Sequence, residues 1–310
     1  MKQGAILARA TRGKPLIRRT NPDRAGSCEN DHAFFAAPRS SCRLWRRTER
    51  VTRAGIALRI RSARSITITA MTQPTLRVET REGVMTLTLN RPDKLNAIDN
   101  PLARAILAAV AAAASDDAVR VLRVRGDGRA FCAGRDVSAA PTEDDLVLVQ
   151  AVSRALVQLD KPVLFAVHGW TVGAGLEWML DADVAIAAAS SRFKLPEASL
   201  GVFVTGGLSA TLAAHAGLSR AKALTLLGEA FDAAQACAWG LVWRVFPDAE
   251  LEDASQKIAS RLAALRPDVA RQFKRVFNEV GLGHFERALE LENAAQRALA
   301  QPSGGPPGPR

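Results

Sequence analysis

The stretch PVLFAVHGWTVGAGLEWMLDADVAIAAA, residues 162–189, decides the fold. Its two ends, residues 162–167 and 184–189, are continuous apolar runs of strand length. Because these runs do not alternate with polar residues, we expect both strands to be buried on both faces. Between them, a glycine-rich turn opens a short segment, 173–180, that is predicted to be helical. Buried strands that alternate with helices are typical of an α/β fold.

The sequence on either side continues this pattern. Residues 75–80 and 84–89 predict a β-hairpin, and the β-branched run at 119–124 predicts a further strand. Asn100-Pro101 predicts the N-cap and first residue of a helix, and residues 143–159 predict another helix. The final third is predicted to be almost entirely helical, in segments 207–216, 219–227, 233–239, 250–265, 267–280 and 285–300.

The net positive charge of the chain comes from its first 70 residues. Residues 1–70 contain 16 Lys and Arg against four acidic residues, which leaves 26 basic and 27 acidic residues for 71–310. The formal net charge of +11 is therefore a property of the first 70 residues. The remainder is near neutral and carries no general signal for nucleic acid, so we expect nucleic-acid binding to be absent.

Three interpretations of residues 1–70 stay open. They are an organelle transit peptide, a basic nucleic-acid-binding arm, and an extension that precedes a true start at Met71. We favour the third, because the sequence pattern changes abruptly at Met71. The predicted organisation is a basic, disordered or mis-assigned leader at 1–70, a core at 71–265, a C-terminal helical region at 266–300 and a disordered tail at 301–310.

Cysteines and hydropathy bear on the compartment. The four cysteines show no CxxC spacing and indicate free thiols in a reducing compartment. No apolar run approaches the roughly 18 residues that a membrane-spanning helix needs, so we expect no membrane insertion. The expected location is a bacterial-type cytoplasm, or an organelle matrix if residues 1–70 are a transit peptide.

Four short segments carry the candidate chemistry. They are NRPDKLNA at 90–97, FCAGRD at 131–136, AVHGWTVGAGLE at 166–177, and LPEASLG at 195–201 with a Gly pair at 206–207. In this order they resemble the enoyl-CoA hydratase/isomerase (crotonase) superfamily, from Pro74 to the C-terminal helices. The resemblance implies a crotonase-like spiral of ββα units with a helical C-terminal region. It also implies an acyl-CoA substrate, a homotrimer or hexamer, and no metal or other cofactor, since coenzyme A is part of the substrate.

The resemblance also assigns an oxyanion hole. An acyl-CoA that reacts at its α or β carbon passes through an enolate-like state, and each N–H aimed at its oxygen contributes about 2.7–4 kcal/mol. In the family, the two donors correspond here to the backbone N–H groups of Arg135 and Ala174. The second lies at a predicted helix N-terminus, where free N–H groups favour an anion.

Glu177 and Glu197 correspond to the two acids of family members that hydrate a double bond. Two carboxyl groups in unlike environments can divide the activation of water from the handling of the α-carbon proton. Members that only shift the double bond generally lack the first acid. The resemblance therefore favours hydration of a trans-2-enoyl-CoA to a 3-hydroxyacyl-CoA. Alternatives are another superfamily reaction (isomerase, dehydratase or lyase), or RNA binding through the basic leader.

Further residues are assigned by the same resemblance. Taken alone, Glu177 and Glu197 would be interpreted as a first-turn acid and a solvated loop acid. The resemblance assigns contact with substrate or CoA to Lys94, Asn96, Ala97, Ala133, Gly134, Asp136, Val137 and Gly173, with a loop-bracing role as the alternative for Asp136. We hypothesise that the Arg135 side chain recognises a polar acyl tail or a CoA phosphate, and that Lys274 and Arg275 lie on a helix that closes over a neighbour's CoA.

Overall fold

The computed structural model describes residues 74–138 and 142–300, so the predictions for the leader and the tail lie outside the described residues. The strands are β1 (Leu76–Arg81), β2 (Val84–Leu89), β3 (Val121–Gly126), β4 (Val163–Val167), β5 (Trp170–Val172), β6 (Val184–Ala188), β7 (Arg192–Lys194), β8 (Phe231–Asp232) and β9 (Arg244–Phe246). The helices are α1 (Asn100–Ser115), α2 (Glu143–Gln158), α3 (Ala174–Leu180), α4 (Leu208–Ala216), α5 (Leu218–Leu227), α6 (Ala233–Ala238), α7 (Leu251–Ala263), α8 (Pro267–Gly281) and α9 (Phe285–Ala300). Short 3-10 helices cover Pro92–Lys94, Glu197–Leu200 and Asp248–Glu250.

Two sheets form the centre of the fold. The larger has the order β1-β2-β3-β4-β6-β9, in which β1 is antiparallel to β2 and the other neighbours are parallel. The smaller has the order β5-β7-β8. β4 and β6 each lead directly into a strand of the smaller sheet, so successive turns of the chain contribute to both sheets. The predicted α/β class, a spiral of ββα units with a helical C-terminal region, is confirmed.

The strand β2 is buried on both faces. Its Thr86 and Thr88 hydroxyls each accept a hydrogen bond of 3.1 Å from the Nε of Arg123 and Arg125 on β3. Both guanidinium groups pair with Glu252 of α7, at 3.1 and 2.7 Å. The helix α7 thus covers a sheet face whose polar side chains are satisfied by one shared ion-pair network.

The structure differs from the sequence prediction in two respects. Asp99 is the N-cap of α1 and accepts from the N–H of Leu102 at 2.9 Å, so the prediction of Asn100 as the cap is wrong. The strands β5, β7, β8 and β9 were not predicted, and β8 and β9 lie inside the region that was predicted to be almost entirely helical. Strands of three residues are too short to show a period of two.

The C-terminal helices pack on the chain that bears them. Lys274 of α8 is buried, donates to the carbonyl of Leu156 at 3.0 Å, and pairs with Asp183 at 2.9 Å. Lys274 was expected to lie on a helix that closes over a neighbour's CoA; it lies on α8, and its ammonium group is used inside its own chain. Arg275 beside it is exposed. Across residues 74–138 and 142–300, every helix is too short or too polar to cross a membrane.

Candidate active site

A glycine turn positions the start of α3. Gly173 has φ 50° and ψ −125°, a conformation that favours glycine. It turns the chain from β5 into α3, so that Ala174 becomes the first residue of the helix. The N–H of a first helical residue has no partner inside its helix. Within the part of the chain that the structure describes, this N–H has no other acceptor either.

The second glycine loop lies against this turn. Ile98 donates to the carbonyl of Gly134, and Asp136 donates to the carbonyl of Ile98, each at 2.8 Å. This parallel bridge leaves the intervening N–H of Arg135 without an acceptor among residues 74–138 and 142–300. A Cβ placed on Gly134 would lie 3.8 Å from the backbone nitrogen of Ala174. The two predicted oxyanion donors therefore belong to backbone segments in direct contact.

Glu177 lies one turn into α3 and is 1% exposed. Its Oε2 accepts from the N–H of Gly206 at 2.7 Å, and its Oε1 accepts from the N–H of Thr205 at 3.3 Å. Burial is the main cause that raises the pKa of Glu177 well above its ordinary value, followed by the charges of Glu197 and Glu292. The hydrogen bond from Thr205 acts in the opposite direction.

Glu197 approaches the same turn from another loop. It begins the 3-10 helix Glu197–Leu200, and a Cβ on Gly173 would lie 2.6 Å from its Oε1. Its Oε2 is buried and has no hydrogen-bond partner among the described residues. Burial raises the pKa of Glu197 to about 7.

The two carboxyl groups have unlike surroundings. Amide donors at Glu177 favour its carboxylate and oppose the effect of burial, whereas the Oε2 of Glu197 has no such donor among the described residues. Because each buried charge raises the cost of the other, the pair is suited to hold one proton between them near neutral pH. The arrangement can therefore deliver a proton from one side and accept one on the other, beside two unpaired backbone N–H groups.

Asn96 does not face the site, which corrects its predicted substrate contact. It is fully buried, and its amide donates to the carbonyls of Asp127 at 2.8 Å and Ala130 at 2.9 Å. Its Oδ1 accepts from the N–H of Arg91 at 2.8 Å. These three hydrogen bonds hold neighbouring loops together. The side chain of Asn96 therefore braces the site instead of binding a ligand.

Asp136 has the loop-bracing role that was the alternative to ligand contact. Its carboxylate pairs with Arg91 at 3.0 Å and accepts from the N–H of Ser138 at 3.1 Å. Hydrogen bonds from Ser138, then from Arg91, lower the pKa of Asp136 to about 2. Arg91 also pairs with Asp99 at 3.1 Å and donates to the carbonyl of Ala97. No role was predicted for Arg91, because an arginine before a proline forms no recognisable pattern by itself.

The other predicted contact residues lie around the two loops. Gly134 and Gly173 are buried, Ala97 and Ala133 are half-buried, and Lys94 is exposed. Ala133 donates its N–H to the carbonyl of Leu95 at 2.9 Å. Val137 is 82% exposed, so its side chain meets little of the protein.

The Arg135 side chain has an internal partner. Its guanidinium pairs at 3.1 Å with Asp145, which lies in the first turn of α2. Asp145 also forms a capping box with Thr142. The cation that we expected to meet a ligand therefore joins the loop that contains Gly134 to the start of α2.

Three neighbouring side chains have packing roles. Cys132 is buried, and burial raises the pKa of its thiol to about 12, so it is no nucleophile at neutral pH. Trp178 is buried in the core and donates to the carbonyl of Val149 at 3.2 Å, whereas Trp170 is 42% exposed. The Nε2 of His168 lies 2.8 Å from the carbonyl oxygen of Gly128.

Among the described residues, a spiral of ββα units thus brings two unpaired backbone N–H groups near the buried Glu177 and the half-buried Glu197. Residues 79–302 match the family model described as enoyl-CoA hydratase/isomerase. The chain therefore belongs to the enoyl-CoA hydratase/isomerase family, and the resemblance seen in the sequence is confirmed.

Named relatives include both isomerases and hydratases. The chain is 35% identical over 226 residues to 1,2-epoxyphenylacetyl-CoA isomerase of Escherichia coli K12, which covers 70% of this chain and 86% of the relative. It is 38% identical over 214 residues to 2,3-dehydroadipyl-CoA hydratase of the same strain, which covers 66% and 83%. A crystal structure of an enoyl-CoA hydratase from Mycobacterium avium subsp. paratuberculosis K-10 has a TM-score of 0.70 and 33% identity, and the match covers 74% and 91%. The family supports an enzyme that acts on acyl-CoA.

Proposed function

We propose that this enzyme adds water to a trans-2-enoyl-CoA to give a 3-hydroxyacyl-CoA. The observation that carries the proposal is the pair Glu177 and Glu197, which flank one glycine turn with unlike hydrogen-bond partners. In this proposal the Glu177 carboxylate activates water for attack on the β carbon, and Glu197 donates a proton to the α carbon. The N–H groups of Arg135 and Ala174 stabilise the enolate oxygen.

The reaction itself is tested by product analysis. Purified protein is incubated with crotonyl-CoA and with longer trans-2-enoyl-CoA substrates, and the products are separated by chromatography. We expect 3-hydroxyacyl-CoA. A shifted double bond without hydration would instead support an isomerase, the second candidate, which the relative named as an isomerase favours. Hydration involves no net oxidation or reduction, and the proposed mechanism calls for no metal or redox cofactor.

Assembly and location form part of the proposal. We propose a homotrimer or hexamer located in the cytoplasm. The exposed apolar side chains Phe273, Val276, Phe277 and Val280 of α8 support a further protein surface against this helix. Bacterial relatives support the location. RNA binding through residues 1–70 is tested by deleting them, since loss of RNA retention at physiological salt would support that alternative.

The pH dependence of hydration follows from the shared proton. Because the pair must carry one proton in the proposed mechanism, loss of that proton stops the reaction. Burial raises the pKa of Glu197 to about 7, and the charge of Glu197 in turn helps to raise the pKa of Glu177. The pair therefore loses its first proton near pH 7 and its second at higher pH, so kcat/KM is expected to rise up to about pH 7 and to fall again when Glu177 loses its proton. When a single proton is lost, kcat/KM changes about tenfold for each pH unit beyond the pKa. The reverse dehydration must show the same limbs, because the overall equilibrium involves no proton. A rate that stays constant from pH 6 to about pH 9 would contradict the assignment.

The Arg135 side chain gives a prediction about the acyl tail. If it exchanges Asp145 for a carboxylate at the end of the acyl chain, Arg135→Ala should raise KM more for a carboxylated enoyl-CoA than for a plain one. Asp145→Asn should act in the opposite direction, because it removes the competing internal carboxylate. KM for both substrates is measured for both variants. Equal small losses for the two substrates in Arg135→Ala would refute the idea.

A further inference from the structure

The C-terminal helix α9 holds the loop that carries the amide donors to Glu177. Glu292 of α9 is 1% exposed. Its Oε2 accepts from the N–H of Gly207 at 2.8 Å, and its Oε1 accepts from the N–H and the hydroxyl of Ser209 at 2.8 and 2.6 Å. One buried carboxylate thus satisfies three donors at the start of α4, where a negative charge is favourable.

Consecutive amides are divided between two carboxylates. Gly206 donates to Glu177 at 2.7 Å, and the next residue, Gly207, donates to Glu292 at 2.8 Å. The two N–H groups belong to adjacent planar peptide units that meet at the Cα of Gly206, so holding the N–H of Gly207 limits the position from which the N–H of Gly206 can donate. Gly207 has φ 80°, and a Cβ there would overlap the ring of Phe285 in α9. The loop is therefore held against α9 by packing as well as by hydrogen bonds.

Further contacts keep α9 in register with this loop. The Oε1 of Gln296 accepts from the N–H of Phe203 at 2.6 Å. The amide side chains of Asn293 and Gln150 are paired, with Asn293 donating at 3.1 Å, which ties α9 to α2. Residues 203–209 thus donate to acceptors at two positions of α9, Glu292 and Gln296, of which Glu292 is buried.

We propose that Glu292 is a positioning residue, which holds residues 205–207 so that their amides orient the Glu177 carboxylate for reaction. Glu292 touches neither substrate nor reacting atoms in this proposal and acts through Gly207. The inference rests on the role proposed above for Glu177. It is independent of the acyl chain that the enzyme accepts.

The charges around Glu177 determine the pH readout. Glu197 from the 3-10 helix, Glu292 from α9 and Asp181 from the end of α3 all raise its pKa. Lys274 of α8 faces Asp181, where its charge lowers the pKa of that carboxyl. Removal of the Glu292 charge therefore lowers the pKa of Glu177, and this effect exceeds that of the hydrogen bond from Thr205. This pKa therefore reports the charge of Glu292, whereas kcat and the hydrogen bonds of the Glu177 carboxyl report the position of the loop.

The test compares Glu292→Gln with Glu290→Gln, a control on the same helix whose exposed carboxylate pairs only with Arg287 among the described residues. Glu292→Gln keeps the size of the side chain, but its NH₂ group cannot accept from Ser209. We expect kcat for hydration to fall about ten- to a hundredfold, with KM little changed, because the misplaced loop affects the reacting geometry. The alkaline limb of kcat/KM should move to lower pH. Glu290→Gln should match the parent protein in kcat, in KM and in the pH of the alkaline limb.

A second measurement separates this inference from the proposed function. Infrared titration of the Glu177 carboxyl band, assigned with Glu177→Gln, reports its pKa without substrate. The carbonyl stretch of the protonated carboxyl also reports its hydrogen bonds, so a shift of this band to higher frequency in Glu292→Gln, which shows weakened bonds from Thr205 and Gly206, supports the inference even if the parent protein hydrates no enoyl-CoA. An unchanged band together with unchanged kcat and pH profile overturns it. Should Glu292→Gln fail to fold, Ser209→Ala, which removes one donor, is expected to reduce kcat in the same direction, and an unaltered kcat there overturns the inference.

Discussion

Replacement of Glu197 by Gln is expected to reduce kcat for hydration by about 10²–10⁴-fold, because an amide cannot deliver the α-carbon proton. Replacement of Glu177 by Gln should cost a similar factor, since a neutral amide cannot accept a proton from water. The two side chains act as a unit, so the double variant should lose little beyond the larger single loss. Single-turnover and steady-state rates with crotonyl-CoA measure all three variants.

The control for these variants is Glu250→Gln, an exposed acid at the end of the 3-10 helix Asp248–Glu250. It should keep the parent rate. Circular dichroism and thermal unfolding show whether each variant keeps its fold. Parent rates in both single variants would remove the proposed roles of the two acids, whatever the product of the reaction.

Replacement of Gly134 by Ala is expected to lower kcat by about 10²–10³-fold, the effect of losing one oxyanion donor. Gly134 has φ 89°, and a Cβ there would lie 2.9 Å from the carbonyl oxygen of Val172. Backbone cannot move aside as a side chain tip can, so the loop must shift and carry the N–H of Arg135 with it. Steady-state kinetics measure the loss, and the affinity for a non-reactive saturated acyl-CoA should fall less than kcat.

Gly217 offers a matched control for backbone strain. It has φ 79°, but a Cβ there meets nothing within 4 Å, and it lies between α4 and α5. Gly217→Ala should therefore lower the unfolding temperature while leaving kcat unaltered. If both glycine variants lost stability alike and both kept the parent kcat, the close approach at Gly134 would have no catalytic meaning.

The sequence predicted the elements that have a clear pattern. The buried strands β4 and β6 were evident from continuous apolar runs, and the ordered motifs located Glu177, Glu197 and the two glycine loops. The sequence did not identify the N-cap of α1 correctly, because Asp and Asn are both favoured at this position. The hydrogen bond from the N–H of Leu102 shows that Asp99 is the cap. Three-residue strands such as β9 are stabilised by tertiary pairing and show no local signal.

The supporting contacts of the site could not be predicted from the sequence. Glu292 meets Gly207 across 85 residues of chain, and in the sequence it is one of many charged residues on an amphipathic helix. Asn96 was assigned to substrate because its motif was recognised, whereas its full burial depends on loops that fold over it. Motifs identify residues that are needed, but only packing tells whether a side chain serves the ligand or the protein.

The order of the larger sheet has a consequence for biosynthesis. The sheet grows by adding strands in the direction of translation, so each new ββα unit finds its neighbour already made. Such pairing can proceed while the ribosome is still elongating the chain. The loop over Glu177, by contrast, is held by α9, which is synthesised after every strand of the sheet. The nascent polypeptide can therefore acquire its sheet early, while the support of this loop comes late.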